Sequence, residues 1–303
     1  MKRIILAGGS GFIGQALAPV LLADGYHVVV LGRGSAHRED NVDYSRWDGQ
    51  SLGDWASAID GAEAIVNLTG KNINCRHTAE NRREIIRSRV DSVRVLGEAI
   101  MRCAKPPKVF VQTSGVGFYG DTGHHVADED AALGNDFTAE VCRQWEGAFD
   151  AIDLPATRKV VLRLGVVLGR DGGALPVLES LTRWFLGGAV GSGGQFISWI
   201  HLADVIRMFV ASVEQRELTG VFNATAPLPV TNREFMRELR RALHRPWSPP
   251  VPAPFARAGA WLMGSDGDLA LMSSRCVPRR LLERGFKFQF QNLRDAFADL
   301  YSK

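Results

Sequence analysis

The sequence predicts an α/β fold, a doubly wound parallel sheet with a smaller C-terminal lobe. Two observations lead to this prediction. Apolar runs of strand length alternate with helical patterns along the chain, which is the order that builds a parallel sheet. The first strand, around Ile4–Leu6, is followed at once by closely spaced glycines and then by a helix. With 303 residues, 46% of them hydrophobic and 23% charged, the chain has the composition of a globular protein with a large core.

The first turn carries glycines at positions 8, 11 and 14, directly between strand and helix. Glycines in this context allow a sharp turn, a close approach of the backbone to a pyrophosphate and tight packing of the helix on the sheet. The helix N-terminus then favours the anion. We therefore predict a dinucleotide site of the Rossmann type, with an ordinary βα turn as the alternative. The predicted contacts in this turn are Gly8, Gly9, Ser10, Gly11, Phe12, Ile13 and Gly14.

The second strand, Tyr26–Leu31, ends in Gly32-Arg33-Gly34. A site for NAD usually places a carboxylate about here to bind the ribose 2′-hydroxyl, but this chain has none before Glu39. Arg33 can instead bind a 2′-phosphate through two parallel hydrogen bonds. Gly32 and Arg33 therefore predict NADP(H) rather than NAD(H), although an exposed loop arginine would give the same pattern.

Two later strands end in small polar residues at the carboxyl edge of the predicted sheet. The strand Ala64–Leu68 runs into Thr69 and Gly70, and the strand Lys108–Gln112 runs into Thr113 and Ser114. Doubly wound folds bind ligands at this edge. We expect Leu68, Thr69, Gly70 and Thr113 to lie against the cofactor.

A long helix, Ala79–Met101, follows the first of these edges and carries Glu84 and Arg89. From the residues alone, these two side chains are either a surface pair or part of the cofactor site.

Several motifs together resemble a known family. They are the Gly8–Gly14 turn, Asn67–Gly70, Ser114 with Phe118–Gly120, Leu162–Gly169, Ser198–His201 and Val277–Leu282. The chain is similar over essentially its whole length to the atypical short-chain dehydrogenase/reductases called the epimerase family. The resemblance implies an NADP-binding Rossmann domain with a small C-terminal lobe, and it places Glu84, Arg89 and Val166 near the cofactor.

The chain departs from the wider superfamily at the catalytic pair. That superfamily uses Tyr-x-x-x-Lys, in which the lysine lowers the pKa of the tyrosine that exchanges a proton with the substrate. None of the four tyrosines here has a lysine four residues later, and the matching helix places Thr138 and Cys142 at the two positions. Tyr119 is the candidate substitute acid, and Ser114 the candidate partner of a substrate carbonyl. The alternative is that Tyr119 only packs over the nicotinamide.

The sequence thus predicts an NADP(H)-dependent oxidoreductase acting on a small carbonyl or hydroxyl compound. The alternative is an NADP(H)-binding sensor or scaffold without turnover. Residues 1–168, completed by about 195–226, are expected to form the cofactor domain, and residues 169–194 and 227–303 the lobe.

Charge and cysteine usage limit the other classes of function. The net charge of +3 is interspersed, so no nucleic-acid partner is expected. No apolar run reaches membrane-spanning length, so we expect no membrane partner. Four separated cysteines predict a reduced, cytoplasmic protein. His124-His125 and the acidic residues after them fit no standard metal spacing, so no metal is expected. The oligomeric state stays open.

Overall fold

The computed structural model describes residues 1–302. The strands are β1 (Arg3–Ala7), β2 (His27–Gly32), β3 (His37–Glu39), β4 (Val42–Arg46), β5 (Ala64–Asn67), β6 (Val109–Gly115), β7 (Arg158–Leu164), β8 (Val166–Leu168), β9 (Phe196–Ile197), β10 (Trp199–His201), β11 (Gly220–Ala224) and β12 (Val230–Thr231). The helices are α1 (Phe12–Ala23), α2 (Ala79–Met101), α3 (Phe137–Asp150), α4 (Leu175–Arg183), α5 (Leu202–Glu214), α6 (Asn232–Ala242), α7 (Ala253–Leu262), α8 (Arg279–Glu283) and α9 (Leu293–Tyr301).

The main sheet has the strand order β11-β7-β6-β5-β1-β2-β4-β3. Its pairs are parallel except at the β3 edge. Successive residues of β1 point to opposite faces, so Ile4 and Leu6 pack in one core cluster and Ile5 and Ala7 in another. Because both faces are covered, the central strands read as continuous apolar runs rather than alternating ones. The predicted doubly wound fold is confirmed.

Strand β3 is a hairpin edge that the sequence analysis missed. It pairs antiparallel with β4, and the turn between them holds Asp40 and Asn41 at positive φ, 47° and 64°. Asn and Asp tolerate this conformation better than most residues, and two-residue hairpin turns require it. The strand itself is polar and fully exposed, so it carries no hydrophobic alternation that could have predicted it.

The apolar run Val160–Val167 reads in sequence as one strand, but it contributes to two strands in different sheets, β7 and β8. At Gly165 the chain leaves β11 and joins β10, because the amide of Val166 donates to the carbonyl of Ser198 at 2.8 Å. A Cβ on Gly165 would lie 2.6 Å from that carbonyl oxygen. Only a glycine allows this close approach. At this position the chain passes from the main sheet to the β8–β10 pair.

The second core lies among β8, β10 and helices α4, α6 and α9, and its largest buried side chains include Trp199, Phe235 and Phe297. Helix α6 begins with a capping box, in which Thr231 and Glu234 bond each other's backbone amides. The apolar alternation of Phe286-Lys287-Phe288 predicts a short strand, and this prediction is wrong, since the residues form an irregular segment. The two phenylalanines pack on the core cluster that contains Ile4 and Leu6. The predicted domain boundaries stay a prediction. Over residues 1–302, the helices are too short or too polar to cross a membrane.

Candidate functional site

The glycine turn after β1 forms a tight cradle against the end of β5. Gly8 has a φ of 73°, and a Cβ at this position would lie 2.9 Å from Oγ1 of Thr69. A Cβ on Gly14 would lie 2.3 Å from the carbonyl oxygen of Gly9. Helix α1 starts directly after Gly11, which has no side chain that could cap the free amides. These amides are therefore available to an anion such as a pyrophosphate.

Two polar atoms beside this cradle are buried and have no hydrogen-bond partner among residues 1–302, namely Oγ1 of Thr69 and Nε of Arg89. Burying an unpaired polar group is costly, so these two atoms are available to a ligand or to water. The glycine cradle and these two unpaired groups together fit a dinucleotide.

Arg89 lies directly beneath Gly70, since a Cβ on that glycine would be 3.0 Å from the guanidinium carbon. Its Nη1 donates to the carbonyls of Lys71 and Ile85, each at 2.9 Å. The guanidinium also lies over the Trp145 ring, 4.9 Å from its centroid. Burial lowers the pKa of Arg89 to about 10. The arginine is thus a buried cation beside the predicted cofactor position, bonded to carbonyls rather than to a carboxylate.

Two arginines lie at the ends of the paired strands β2 and β4. Gly32 adjoins the glycine turn, since a Cβ added to Gly32 would lie 3.5 Å from Oγ of Ser10. The exposed Arg33 follows Gly32 in the chain. In the strand register Gly32 is paired with Arg46, the last residue of β4 and also exposed. Arg46 was missed, because only the pairing of β2 with β4 brings it beside Gly32. The assignment of Arg33 to a 2′-phosphate stays a prediction, and Arg46 is a second exposed cation beside it in the strand register.

Glu84 is held by a cation that the sequence analysis also missed. Nζ of Lys71 forms an ion pair with Glu84 and donates to Oδ1 of Asn81 at 2.7 Å. The Lys71 ammonium lowers the pKa of the Glu84 carboxyl. Glu84 therefore fixes the loop that follows Gly70.

Phe12 acts as a packing residue within the predicted site. Its ring fills the space over the turn after β8, where a Cβ on Gly169 or Gly172 would lie 2.5 to 2.6 Å from it. Ile13 and Leu68 pack against the core cluster that contains Ile4 and Leu6, and Val166 is half-buried in β8.

Thr113 is buried at the end of β6. Its Oγ1 donates to the carbonyl of Asn67 at 2.8 Å and so bridges β6 and β5. This hydroxyl, unlike that of Thr69, is already satisfied by the protein.

Next to the cradle lies a buried polar network, and both catalytic candidates belong to it. Oγ of Ser114 donates to Glu146 at 2.6 Å. Arg163 forms a bidentate pair with the same carboxylate at 2.9 and 2.7 Å and donates to the Tyr119 hydroxyl at 2.8 Å. The Tyr119 hydroxyl in turn donates to Oδ1 of Asn223 at 2.7 Å. The network ties the edges of β6, β7 and β11 to α3.

Burial, rather than the hydrogen bonds of the network, keeps the Tyr119 hydroxyl protonated. Burial is the largest cause that raises the pKa of Tyr119 to about 12, although the neighbouring Arg163 opposes it. Cys142, at the position of the missing lysine, is a buried thiol whose pKa burial raises to about 11. Oγ1 of Thr138, at the position of the missing tyrosine, donates to Asp136 at 2.7 Å. The catalytic roles of Tyr119 and Ser114 stay predictions.

Comparison with known proteins defines the class. The sequence model of the NAD dependent epimerase/dehydratase family matches residues 4–224, and the chain belongs to this family. A domain of unknown function, DUF1731, matches residues 251–300.

Among its relatives, the chain is 35% identical to the mouse "Epimerase family protein SDR39U1", covering 98% of this chain and 99% of the mouse protein. The crystal structure of the human epimerase family protein SDR39U1 with NADPH superposes with a TM-score of 0.89 at 32% identity, covering 99% of both chains. A UDP-glucuronic acid 4-epimerase from Bacillus cereus, solved with UDP-glucuronic acid and NAD, has a TM-score of 0.77 at 16% identity, covering 99% of this chain and 98% of that one. That last likeness shows the fold alone.

Proposed function

We propose that the protein is an NADP(H)-dependent oxidoreductase that acts on a small carbonyl or hydroxyl compound. One observation carries the proposal: two buried polar atoms, Oγ1 of Thr69 and Nε of Arg89, lack partners among residues 1–302 and flank the open glycine cradle. The NADPH in the human relative supports the choice of cofactor.

Each part of the cofactor has residues suited to hold it. The free amides at the start of α1 would hold the pyrophosphate, and Arg33 and Arg46 would hold the 2′-phosphate. Thr69 and Arg89 would supply further hydrogen bonds to the cofactor beside the ends of β1 and β5. A bound nicotinamide would supply hydride chemistry, while the protein supplies position and charge.

The proposed oxidoreductase needs a proton donor, whereas the alternative, a sensor without turnover, does not. For Tyr119 or Ser114 to donate a proton, its hydroxyl must first leave Asn223 or Glu146. A sensor that binds NADP(H) without turnover needs no such donor. The saturated network and the absent Tyr-x-x-x-Lys pair favour this second candidate.

Calorimetric titration with NADPH and NADH tests the cofactor proposal. We expect tight binding of NADPH and weaker binding of NADH. Because each arginine contacts the 2′-phosphate in this proposal, Arg33→Ala and Arg46→Ala should each reduce NADPH affinity about tenfold and leave NADH affinity within twofold. Arg38→Ala, on the exposed hairpin strand, is the control. Equal losses for both cofactors would contradict the 2′-phosphate assignment.

Turnover is tested separately, by the loss of NADPH absorbance in the presence of carbonyl compounds. Steady oxidation that is abolished in Tyr119→Phe or Ser114→Ala would support the catalytic predictions. Tight NADPH binding without oxidation would support the sensor.

We also propose a cytoplasmic location, on the basis of the four separated cysteines.

A further inference from the structure

Residues 249–272, which include α7 and are called the strap, form an unusually exposed stretch of the chain. No residue in this range is buried, although Ser248 and Ser273 on either side of it are. Helix α6, which is similar in length to α7, buries Phe235 and Leu239 in the second core. A segment with few buried contacts can open at a small cost in free energy while the rest of the fold stays intact. We therefore expect the strap to open locally.

The middle of the strap is attached to the loop that follows β5. Nε and Nη2 of Arg76 donate to the carbonyl of Trp261 at 3.2 and 2.9 Å, and the guanidinium carbon of Arg76 lies 4.3 Å from the Trp261 ring centroid. Nδ1 of His77 lies 3.3 Å from a carboxylate oxygen of Asp266. These contacts, rather than burial, hold the middle of the strap in place.

Both ends of the strap are attached to the loop before β9. The amide of Val251 donates to the carbonyl of Ala189 at 2.8 Å, and the amide of Gly191 donates to the carbonyl of Val251 at 2.9 Å. Near the other end, Nε2 of Gln195 donates to the carbonyl of Ala270 at 3.1 Å. The strap is therefore anchored at two points on the lobe, and opening its middle must break the contacts with the loop after β5.

A continuous series of hydrogen bonds connects the middle of the strap to the cofactor cradle. Nη1 of Arg89, whose Nε has no partner within the described chain, donates to the carbonyl of Lys71 at 2.9 Å. Nζ of Lys71 donates to Oδ1 of Asn81 at 2.7 Å, and Nδ2 of Asn81 donates to the carbonyl of Arg76 at 2.7 Å. The guanidinium of Arg76 completes the series at Trp261. Contiguous hydrogen bonds of this kind can carry coupling between a site and an element with two states.

We propose that the strap opens and closes as a local unit, and that NADP(H) bound beside Arg89 keeps it closed through this series of bonds. The proposal rests on the proposed function, because it needs the cofactor to bond Arg89. A cofactor group bonded to Nε of Arg89 would fix the guanidinium, which in turn holds the carbonyl of Lys71 and the loop to which the strap is attached. In the sensor without turnover, the strap is the element that changes with cofactor occupancy.

Hydrogen exchange followed by mass spectrometry, on the full chain with and without saturating NADPH, measures the opening of the strap. In the NADPH-free protein, the amides of the strap should exchange faster than those of α6. NADPH should slow exchange in the strap about fivefold or more, the size of an ordinary coupling between two sites, and leave α6 within about twofold. A strap that exchanges as slowly as α6, or that does not respond to NADPH that calorimetry shows to be bound, would overturn the proposal. Absence of NADPH binding would instead contradict the proposed function.

The variant Asn81→Ala tests the series of bonds, because Asn81 lies in the middle of it. With NADPH at saturation, the slowing of exchange in the strap should fall below about twofold, since the link between Lys71 and Arg76 is lost. Glu80→Ala is the control, because Glu80 is exposed in the same turn of α2 and is not part of the series. Full slowing in Asn81→Ala, or equal losses of slowing in the two variants, would show that these bonds do not connect the cofactor to the strap.

The variant Arg76→Ala removes the last bond of the series. Without NADPH, the strap of this variant should exchange about tenfold faster than that of the wild type, as expected for the loss of a hydrogen bond from a charged donor. Unchanged exchange in α6 would show that the fold is intact. Arg257→Ala is the matched control, since Arg257 pairs with Asp268 inside the strap at 2.8 Å and such exposed pairs contribute little. Equal acceleration in the two variants would show that the loop after β5 does not hold the strap closed.

Discussion

Two neighbouring regions at the carboxyl edge of the sheet, the cradle and the polar network, differ in whether their buried polar groups are hydrogen-bonded within the protein. In the cradle, Thr69 and Arg89 each keep a buried atom without a partner in the described chain. In the network, Glu146, Arg163 and Tyr119 satisfy one another through short hydrogen bonds. Both regions contain a buried arginine, but only Arg163 has a carboxylate partner.

This difference predicts that the cradle contributes mainly to ligand binding and the network mainly to the stability of the fold. A group whose partners are all in the protein contributes to folding, and its loss leaves its partners unpaired. A group without protein partners costs stability and is useful only when a ligand satisfies it. Variants of the two regions should therefore affect different measurements.

The largest effect is expected for Glu146→Gln. This change leaves the buried guanidinium of Arg163 without its counter-charge, and breaking a buried pair in this way costs about 3–5 kcal/mol. Urea denaturation of the NADPH-free protein measures the loss. The control is Glu140→Gln on the same helix, since Glu140 pairs with the exposed Arg143 and such pairs contribute little. Similar stabilities for the two variants would show that the network is not a structural unit.

The burial of Tyr119 also predicts a loss of stability at alkaline pH. Tyr119 has a pKa raised from 10.0 to about 12 by burial, so the folded protein retains a proton that the unfolded chain releases. The stabilisation is complete below pH 10 and declines as the pH rises from 10 to 12, by about 2.7 kcal/mol in total. Denaturation midpoints measured from pH 8 to 12 should fall more steeply for the wild type than for Tyr119→Phe. Parallel curves would mean that Tyr119 titrates as it does in the unfolded chain.

The cradle could be predicted from sequence because its signals are local. The spacing of glycines between a strand and a helix predicts the turn. Once the strands are predicted, the residues at their carboxyl ends are predicted with them. Arg46 and Lys71 were missed because their positions depend on strand register and on the path of a loop.

The network could not be predicted for a related reason. Glu146, Arg163 and Asn223 lie on α3, β7 and β11, so only the sheet order brings them together. Tyr119 was singled out for its chemistry, yet burial and the partners supplied by distant strands determine the state of its hydroxyl.

For the cradle, Arg89→Met should weaken NADPH binding while preserving the fold. A hydrogen bond to a charged group is worth about 1.5–3 kcal/mol, which corresponds to a loss of roughly ten- to 150-fold in affinity. Because Nη1 of Arg89 also donates to the carbonyls of Lys71 and Ile85, the variant should lose about 1 kcal/mol of stability. No buried carboxylate is left without its counter-charge, so this loss should be smaller than that of a network variant. Arg163→Met, by contrast, should be strongly destabilised. If Arg89→Met were equally unstable, Arg89 would belong with the network.

The smallest effect, and the sharpest comparison, involves two threonines at adjacent strand ends. Thr69→Val removes a hydroxyl that has no protein partner, so stability should stay within about 0.5 kcal/mol while NADPH affinity falls about fivefold. Thr113→Val removes the donor to the carbonyl of Asn67, so stability should fall by about 1 kcal/mol or more while NADPH affinity stays within twofold. Calorimetry and urea denaturation on both variants give the four values. A loss of affinity in Thr113→Val would place that hydroxyl on the cofactor, as the sequence alone predicts, and would mean that its bond to Asn67 breaks when NADPH binds.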